Sequence, residues 1–227
     1  MSAQVELKEL YLLFISGRNL CQSRALLLNC RYMINKQAFA KISKIYASYA
    51  IERRKLFAAS DEMLAKSKQA IFAAHRDDLP ESERLLREVE ASEKSFAPVF
   101  KQHPDIASEG PHRAALEEYS EAVQFLAFVK GEPLCVIKNI ELDSDAVLGG
   151  LTDTVGEIAR KCVQWATKGE FKKIDSALAV SREVVFALMA LNLTGYLRTK
   201  LDQAKGALRR IEDVAYDVAM RELRNKR

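Results

Sequence analysis

Between Ala38 and His75 there is neither a glycine nor a proline, while Ile42, Ile45, Tyr49, Leu56, Met63, Leu64 and Ile71 recur at helical spacing. A stretch that withholds both breakers over this length has little alternative to one long helix, or two nearly collinear ones. The scarcity extends to the whole chain. Nine glycines and five prolines in 227 residues leave too few turns for an all-β fold. "DDLP" (77–80) stops the first helix, and Pro80 followed by "ESE" starts another, with proline in the first turn and acids near the positive end of the dipole. That helix fades at "SFAPVFKQHPDIASEGP", which reads as the longest loop.

Further helices are predicted from about Pro111 to Lys130, over "DAVLGGLTDTVGEIARKCVQWATKG" with Gly169 as its C-cap, and over "IDSALAVSREVVFALMALN". "LCVIKNIEL" reads equally well as a short helix or an extended piece. The last helix, from Tyr196 to about Leu223, sets Leu197, Leu201, Ala204, Leu208, Ile211, Ala215 and Val218 at alternating spacings of four and three. That heptad seam asks for a partner helix lying nearly parallel, and we expect it to help hold a homo-oligomer. The fold class is all-α, about seven helices in a bundle.

The opening "MSAQVELKELYLLFISGRNLCQSRALLLNCRYM" settles into no single helical period, and a cleaner pattern begins at Met33. We therefore divide the chain into a leading segment, residues 1–32, and one all-α domain, residues 33–227. "LYLLFI" (10–15) is too short to span a bilayer or to serve as a signal sequence, and Glu6 and Glu9 before it are wrong for one. No membrane association is expected. Four cysteines without CxxC spacing and three scattered histidines argue against zinc, and reduced thiols place the chain in the cytoplasm. A net charge of +4 permits a polyanionic partner without demanding one.

Chemistry is suggested by "LEEYSEAVQFLAFVKG" (116–131). On a helical projection Arg113, Glu117, Ser120 and Gln124 form the wet face, and Leu116, Tyr119, Val123 and Leu126 lie opposite. Glu118 and Glu121 fall between, on the stripe continued by Phe125 and Phe128. Two acids at this spacing have Cβ atoms about 5–6 Å apart. They repel unless a cation or a proton lies between them. Acids at the edge of a core satisfy the pattern as readily as a metal site. A second pair, Asp153 and Glu157, shares a face with Arg160, Lys161, Gln164 and Lys168, where the helix dipole and i,i+4 pairing suffice as an explanation. Periodicity alone does not find a site.

Four blocks add a resemblance. "KSKQAIFAAHR" (66–76), "EEYSEAVQF" (117–125), "GLTDTVGEIARKC" (150–162) and "RRIEDVAYDVAMR" (209–221) are similar to the translin family, and within it to the branch of translin-associated factor X. The similarity runs from about Ile42 to Arg221. It implies an all-α, seven-helix fold that assembles into hollow, nucleic-acid-binding octamers. For this branch it implies a magnesium-dependent endoribonuclease of single-stranded RNA, with single-stranded DNA as a further ligand. The acidic set of the branch falls on Glu118, Glu121 and Asp153, with Glu157 as a fourth. The lack of a nuclear-import basic run points to a free-standing, self-assembling version of a prokaryotic, archaeal-like kind.

Mg²⁺, or Mn²⁺ in its place, wants oxygen ligands and keeps several waters, so carboxylates from two helices suit it. Glu118, Glu121 and Asp153 would be direct or water-mediated ligands, and Glu157 either a ligand or the group that orients water. RNA would be held by Arg53, Arg54, Lys68, Arg76 and Arg160, with His112 and Arg113 one turn before the acids. Trp165 and Tyr196 are stacking candidates that also fit a core. Three functions stay open at this stage: the endoribonuclease, a non-catalytic single-stranded nucleic-acid-binding oligomer, and a helical protein-interaction module.

Overall fold

The computed structural model describes residues 34–225. The leading segment 1–32, with Cys21, Cys30 and "LYLLFI", lies outside the described residues, as does Met33. Among the described residues every regular element is helical: α1 (Lys36–His75), α2 (Leu79–Ser95), α3 (Ala97–Gln102), α4 (Gly110–Lys130), α5 (Ser144–Lys168), α6 (Phe171–Met189) and α7 (Gly195–Asn225), with a 3₁₀ turn at Pro104–Ser108. None of these helices is long and apolar enough to cross a membrane.

The chain divides into two compact units, 1–47 and 48–227. In the first, Asn35 caps the start of α1 by accepting from the amides of Gln37 and Ala38, both at 3.1 Å. Phe39, Ile42 and Ile45 form an exposed apolar stripe along this part of the helix.

In the second unit α5 is the central element, packing against α4, α6 and α7, while α6 and α7 also pack together. Its ends are set by local chemistry. Asp143 accepts from the Ala146 amide at 2.7 Å, and Gly169 takes φ 77°, the left-handed conformation glycine adopts without strain. The core holds Tyr119 and Phe125 of α4, Ile158 of α5, Ile174 and Leu188 of α6 and Ile211 of α7. Each fully buried side chain of this size contributes about 1.5–3 kcal/mol.

Four expectations are corrected here. "SFAPVFKQHPDIASEGP" is not a loop. Pro98 and Pro104 each sit in the first turn of a short helical piece, and the fully buried Ile106 anchors the second. The seam of the last helix is intramolecular: Leu201, Ala204, Ile211 and Val218 are buried in the core formed with α5 and α6. The supposed wet face of α4 is wet only at its start, where Arg113 is exposed; farther along it packs toward α5. Ser120 and Gln124 are buried, and the Gln124 amide donates to Ser120 Oγ at 3.0 Å and to the Val147 carbonyl at 3.2 Å. Lys161, placed on the polar face of α5, is fully buried. Its ammonium donates to the carbonyls of Ala74 and His75 and to Asp77, closing the C-terminal end of α1.

The close approach of α4 and α5 depends on Gly150. A Cβ there would stand 2.6 Å from the Glu121 amide nitrogen and 2.5 Å from Ser120 Oγ. The helices carrying the two acidic pairs are therefore nearly in backbone contact. "LCVIKNIEL" forms neither helix nor strand, and its Ile140 is buried against the core.

Candidate metal and nucleic-acid site

Helical spacing brings Glu118 and Glu121 onto one side of α4, and Asp153 and Glu157 onto the facing side of α5. Their closeness is felt in the proton affinities of Glu118, Glu121 and Asp153. Burial, together with the charges of Asp153, Glu118 and Glu157, pushes the Glu121 carboxyl up to about 9. Burial raises Glu118 as well; Lys68, 4.0 Å away, opposes this, and Asp153 and Glu157 add to it. Asp153 is raised by burial against the pull of Lys200. Four carboxylates drawn out of water on two touching helices hold more negative charge than their surroundings balance. Such a group takes up protons or cations.

Two of the four are hydrogen-bonded to basic side chains. The Asp153 carboxylate accepts from the Lys200 ammonium, which also meets Glu117 at 2.7 Å. The Glu157 carboxylate is hydrogen-bonded to His75 Nε2 and lies 3.7 Å from Arg160. The donor set fits a hard divalent cation, being all oxygen and surplus in charge. In their present rotamers no three acidic, histidine or cysteine side chains among the described residues converge as a ready cage. Lys200 and His75 draw Asp153 and Glu157 toward themselves instead.

The acids lie where two clefts meet. One, of about 950 Å³, is lined by Arg113, Glu117, Glu118, Asp153, Tyr196 and Lys200, with the 3₁₀ turn as a wall. The other, of about 500 Å³, is lined by Glu121, Asp153, Glu157, Gln203 and Arg210. Asp153 belongs to both. Gly156 and Gly206 open onto the second, and a Cβ at either would meet nothing within 4 Å.

The basic residues divide. Lys68 and Arg160 stand beside the acids, and Arg160 also covers the Phe72 ring at 5.0 Å. Arg113 sits on the cleft rim, 3.3 Å from Asp145. Arg53 pairs with Glu109 at the start of α4 and stacks over Phe57. Arg54 and Arg76 are exposed and line neither cleft.

His112 is corrected: it is 1 % exposed, with Nδ1 2.9 Å from the Ala107 carbonyl and Nε2 2.8 Å from Glu93. Burial works against its protonation, but the contacts with Glu93 and Ala107 outweigh it and raise its pKa. It ties the start of α4 to α2 and the 3₁₀ turn and has no face for phosphate. Trp165 is buried, whereas Tyr196 is exposed at the cleft and donates to Glu117 at 2.7 Å.

Sequence reasoning missed Lys200, Glu117, His75, Gln203 and Arg210. One signal was available. Tyr196, Lys200, Gln203, Ala207 and Arg210 repeat at spacings of four and three, a second, mostly polar stripe beside the apolar seam. His75 and Glu117 left none, because their partners are far away in sequence.

The fold has close counterparts among solved structures. Apo-NeC3PO aligns with TM-score 0.74 and 21% identity over 82% of this chain and 99% of its own. AfC3PO aligns with TM-score 0.76 and 24% identity, covering 82% of this chain and 99% of its own. A structure of AfC3PO with duplex RNA aligns with the same score and identity, covering 98% of that chain. A search of the curated proteins found no match. A model of the Translin family matches residues 51–222, a span that takes in both acidic pairs and the Lys200 stripe. The chain belongs to the translin family.

Proposed function

We propose that this chain is the catalytic subunit of a homo-oligomeric, divalent-metal-dependent endoribonuclease acting on single-stranded RNA in the cytoplasm. The carrying observation is the group of four partly buried carboxylates on two helices in near backbone contact, set at the junction of two clefts with cationic rims. Glu118, Glu121, Asp153 and Glu157 would hold Mg²⁺ or Mn²⁺. When bound, the ion supplies a Lewis acid that lowers the pKa of water and offsets charge building on a phosphodiester.

The chain's own residues do the rest. Arg113 and Lys68 on one side and Arg160 and Arg210 on the other give a strand cationic contacts on both sides of Asp153. The bare edges of Gly156 and Gly206 let a sugar–phosphate backbone come close. His75 fixes the direction of Glu157, which would serve either as a further ligand or as the group that orients a water. AfC3PO, which shares the fold, has been described in complex with duplex RNA, and that supports an RNA ligand here. Exposed Phe186, Met189, Leu191 and Tyr216 offer apolar surface for further copies of the chain, an octamer by family resemblance.

One observation favours a non-catalytic binding role: Asp153 and Glu157 already have hydrogen-bond partners in Lys200 and His75. A cleavage assay on a labelled single-stranded oligoribonucleotide in Mg²⁺ separates the two. Glu118→Gln, Glu121→Gln and Asp153→Asn should each lower the rate at least about 10²-fold. Binding in EDTA should persist and weaken steeply with salt. Glu117→Gln is no neutral control, because Glu117 holds Lys200; Glu212→Gln, in a surface pair with Arg182, is one. Undiminished cleavage by all three acid variants would leave the binding role.

A further inference from the structure

Lys200 is an unusual residue to find beside a group of acids suited to a cation. Its side chain is only 9 % exposed. The ammonium is fixed from three sides: Glu117 Oε1 at 2.7 Å, Asp153 Oδ2 in direct hydrogen bond, and the Tyr196 ring with its centroid 5.2 Å away. Tyr196 in turn donates to the same Glu117 oxygen at 2.7 Å. Glu117 is outside the set of acids expected to bind metal, and so is Tyr196. Their contacts anchor Lys200 independently of Asp153.

We propose that Lys200 is a built-in counter-ion that holds Asp153 out of the metal-binding arrangement, so that a divalent cation must take this carboxylate from it. This inference rests on the metal-site reading above. It makes Lys200 a positioning residue that sets metal affinity, and it gives Glu117 and Tyr196 the task of keeping the ammonium in place after Asp153 leaves.

The physical basis is a competition of charges. With Oδ2 held by Lys200, Asp153 offers a cation only its other oxygen, and a bound ion competes with the ammonium for the charge of the carboxylate. In the metal-free state a single positive charge relieves part of the repulsion among the acids. A divalent ion carries twice that charge and is shared by more of them, so it displaces the ammonium only at a cost in apparent affinity. The exchange also fits the present divergence of the carboxylates, since Asp153 follows its partner on α7.

The test is Mn²⁺ binding to the full chain by electron paramagnetic resonance, which reads affinity without reference to cleavage. Lys200→Met should bind Mn²⁺ at least about tenfold more tightly than the native chain. Lys200→Gln should move the same way, and serves should the methionine variant fold poorly by circular dichroism. Lys68→Met removes an equal charge 4.0 Å from Glu118 on a 54 % exposed side chain, and should change affinity no more than about threefold.

A double-mutant cycle then separates holding from simple charge. In an Asp153→Asn background the gain from Lys200→Met should fall below about threefold. An equal gain there, or no gain in the native background, overturns the inference while leaving the metal site standing. Failure of the native chain to bind Mn²⁺ removes the metal-site reading and this inference with it.

Discussion

Replacing Gly150 by alanine should damage the protein in a way that replacing Gly156, farther along α5, should not. At Gly150 the new methyl would stand 2.5 Å from Ser120 Oγ, 2.6 Å from the Glu121 nitrogen and 2.7 Å from Ser120 Cβ. Ordinary contacts begin near about 3.4 Å, so α4 and α5 must part by roughly 0.8 Å or distort. Two of the obstructing atoms belong to backbone and Cβ, so a side-chain rotation gives no relief. Overpacking of this kind costs about 1–3 kcal/mol. Alanine recovers up to about 1 kcal/mol of helix propensity.

Gly156→Ala meets nothing within 4 Å and should keep that gain whole. The two variants should therefore differ by about 1–3 kcal/mol, with Gly150→Ala the less stable. The assay is urea denaturation followed by circular dichroism at one fixed protein concentration, since assembly contributes to apparent stability. Parting the helices also parts Glu118 and Glu121 from Asp153 and Glu157, so Mn²⁺ affinity should fall in Gly150→Ala. Equal stability of the two variants would refute the claim that the helices are in backbone contact.

Three other outcomes follow from the buried charges. Glu121 has its pKa raised to about 9 from an ordinary 4.5, so its contribution is full below 4.5 and lost as pH rises toward 9. Melting temperature in EDTA should fall across that window, and the fall should be smaller in Glu121→Gln. His112 is also raised, from 6.5, so the tie to Glu93 is complete below that pH and loosens above its folded value. His112→Gln should flatten that part of the profile, and an unaltered slope would discard the assignment. Lys161→Met leaves two carbonyls and Asp77 without their ammonium and should cost about 2–4 kcal/mol in urea unfolding. A cost below about 0.5 kcal/mol would mean that the end of α1 needs no such closure.

What was legible in the sequence was whatever repeats along a helix. The absence of breakers from Ala38 to His75 gave α1, Gly169 gave the end of α5, and the ordered acidic blocks gave the four carboxylates through resemblance. Local rules reach only a few turns, so they misread the faces that meet other helices. Ser120, Gln124 and Lys161 are polar and look wet, yet all three are buried with partners: Gln124 donates to Ser120 and to the Val147 carbonyl, and Lys161 to the end of α1. The heptad seam of α7 was visible, but its partner was not, because a seam states what it needs and not which chain supplies it.

The electrostatics of the site were decided by tertiary structure alone. Lys200 lies 47 residues from Asp153, and His75 lies 82 from Glu157. Sequence determined that the acids would share faces on two helices. Only the fold determined that Gly150 would press those helices together and that an ammonium from a third would enter between them. A carboxylate's chemistry depends on charges within a few ångströms, and chain separation carries no information about that distance.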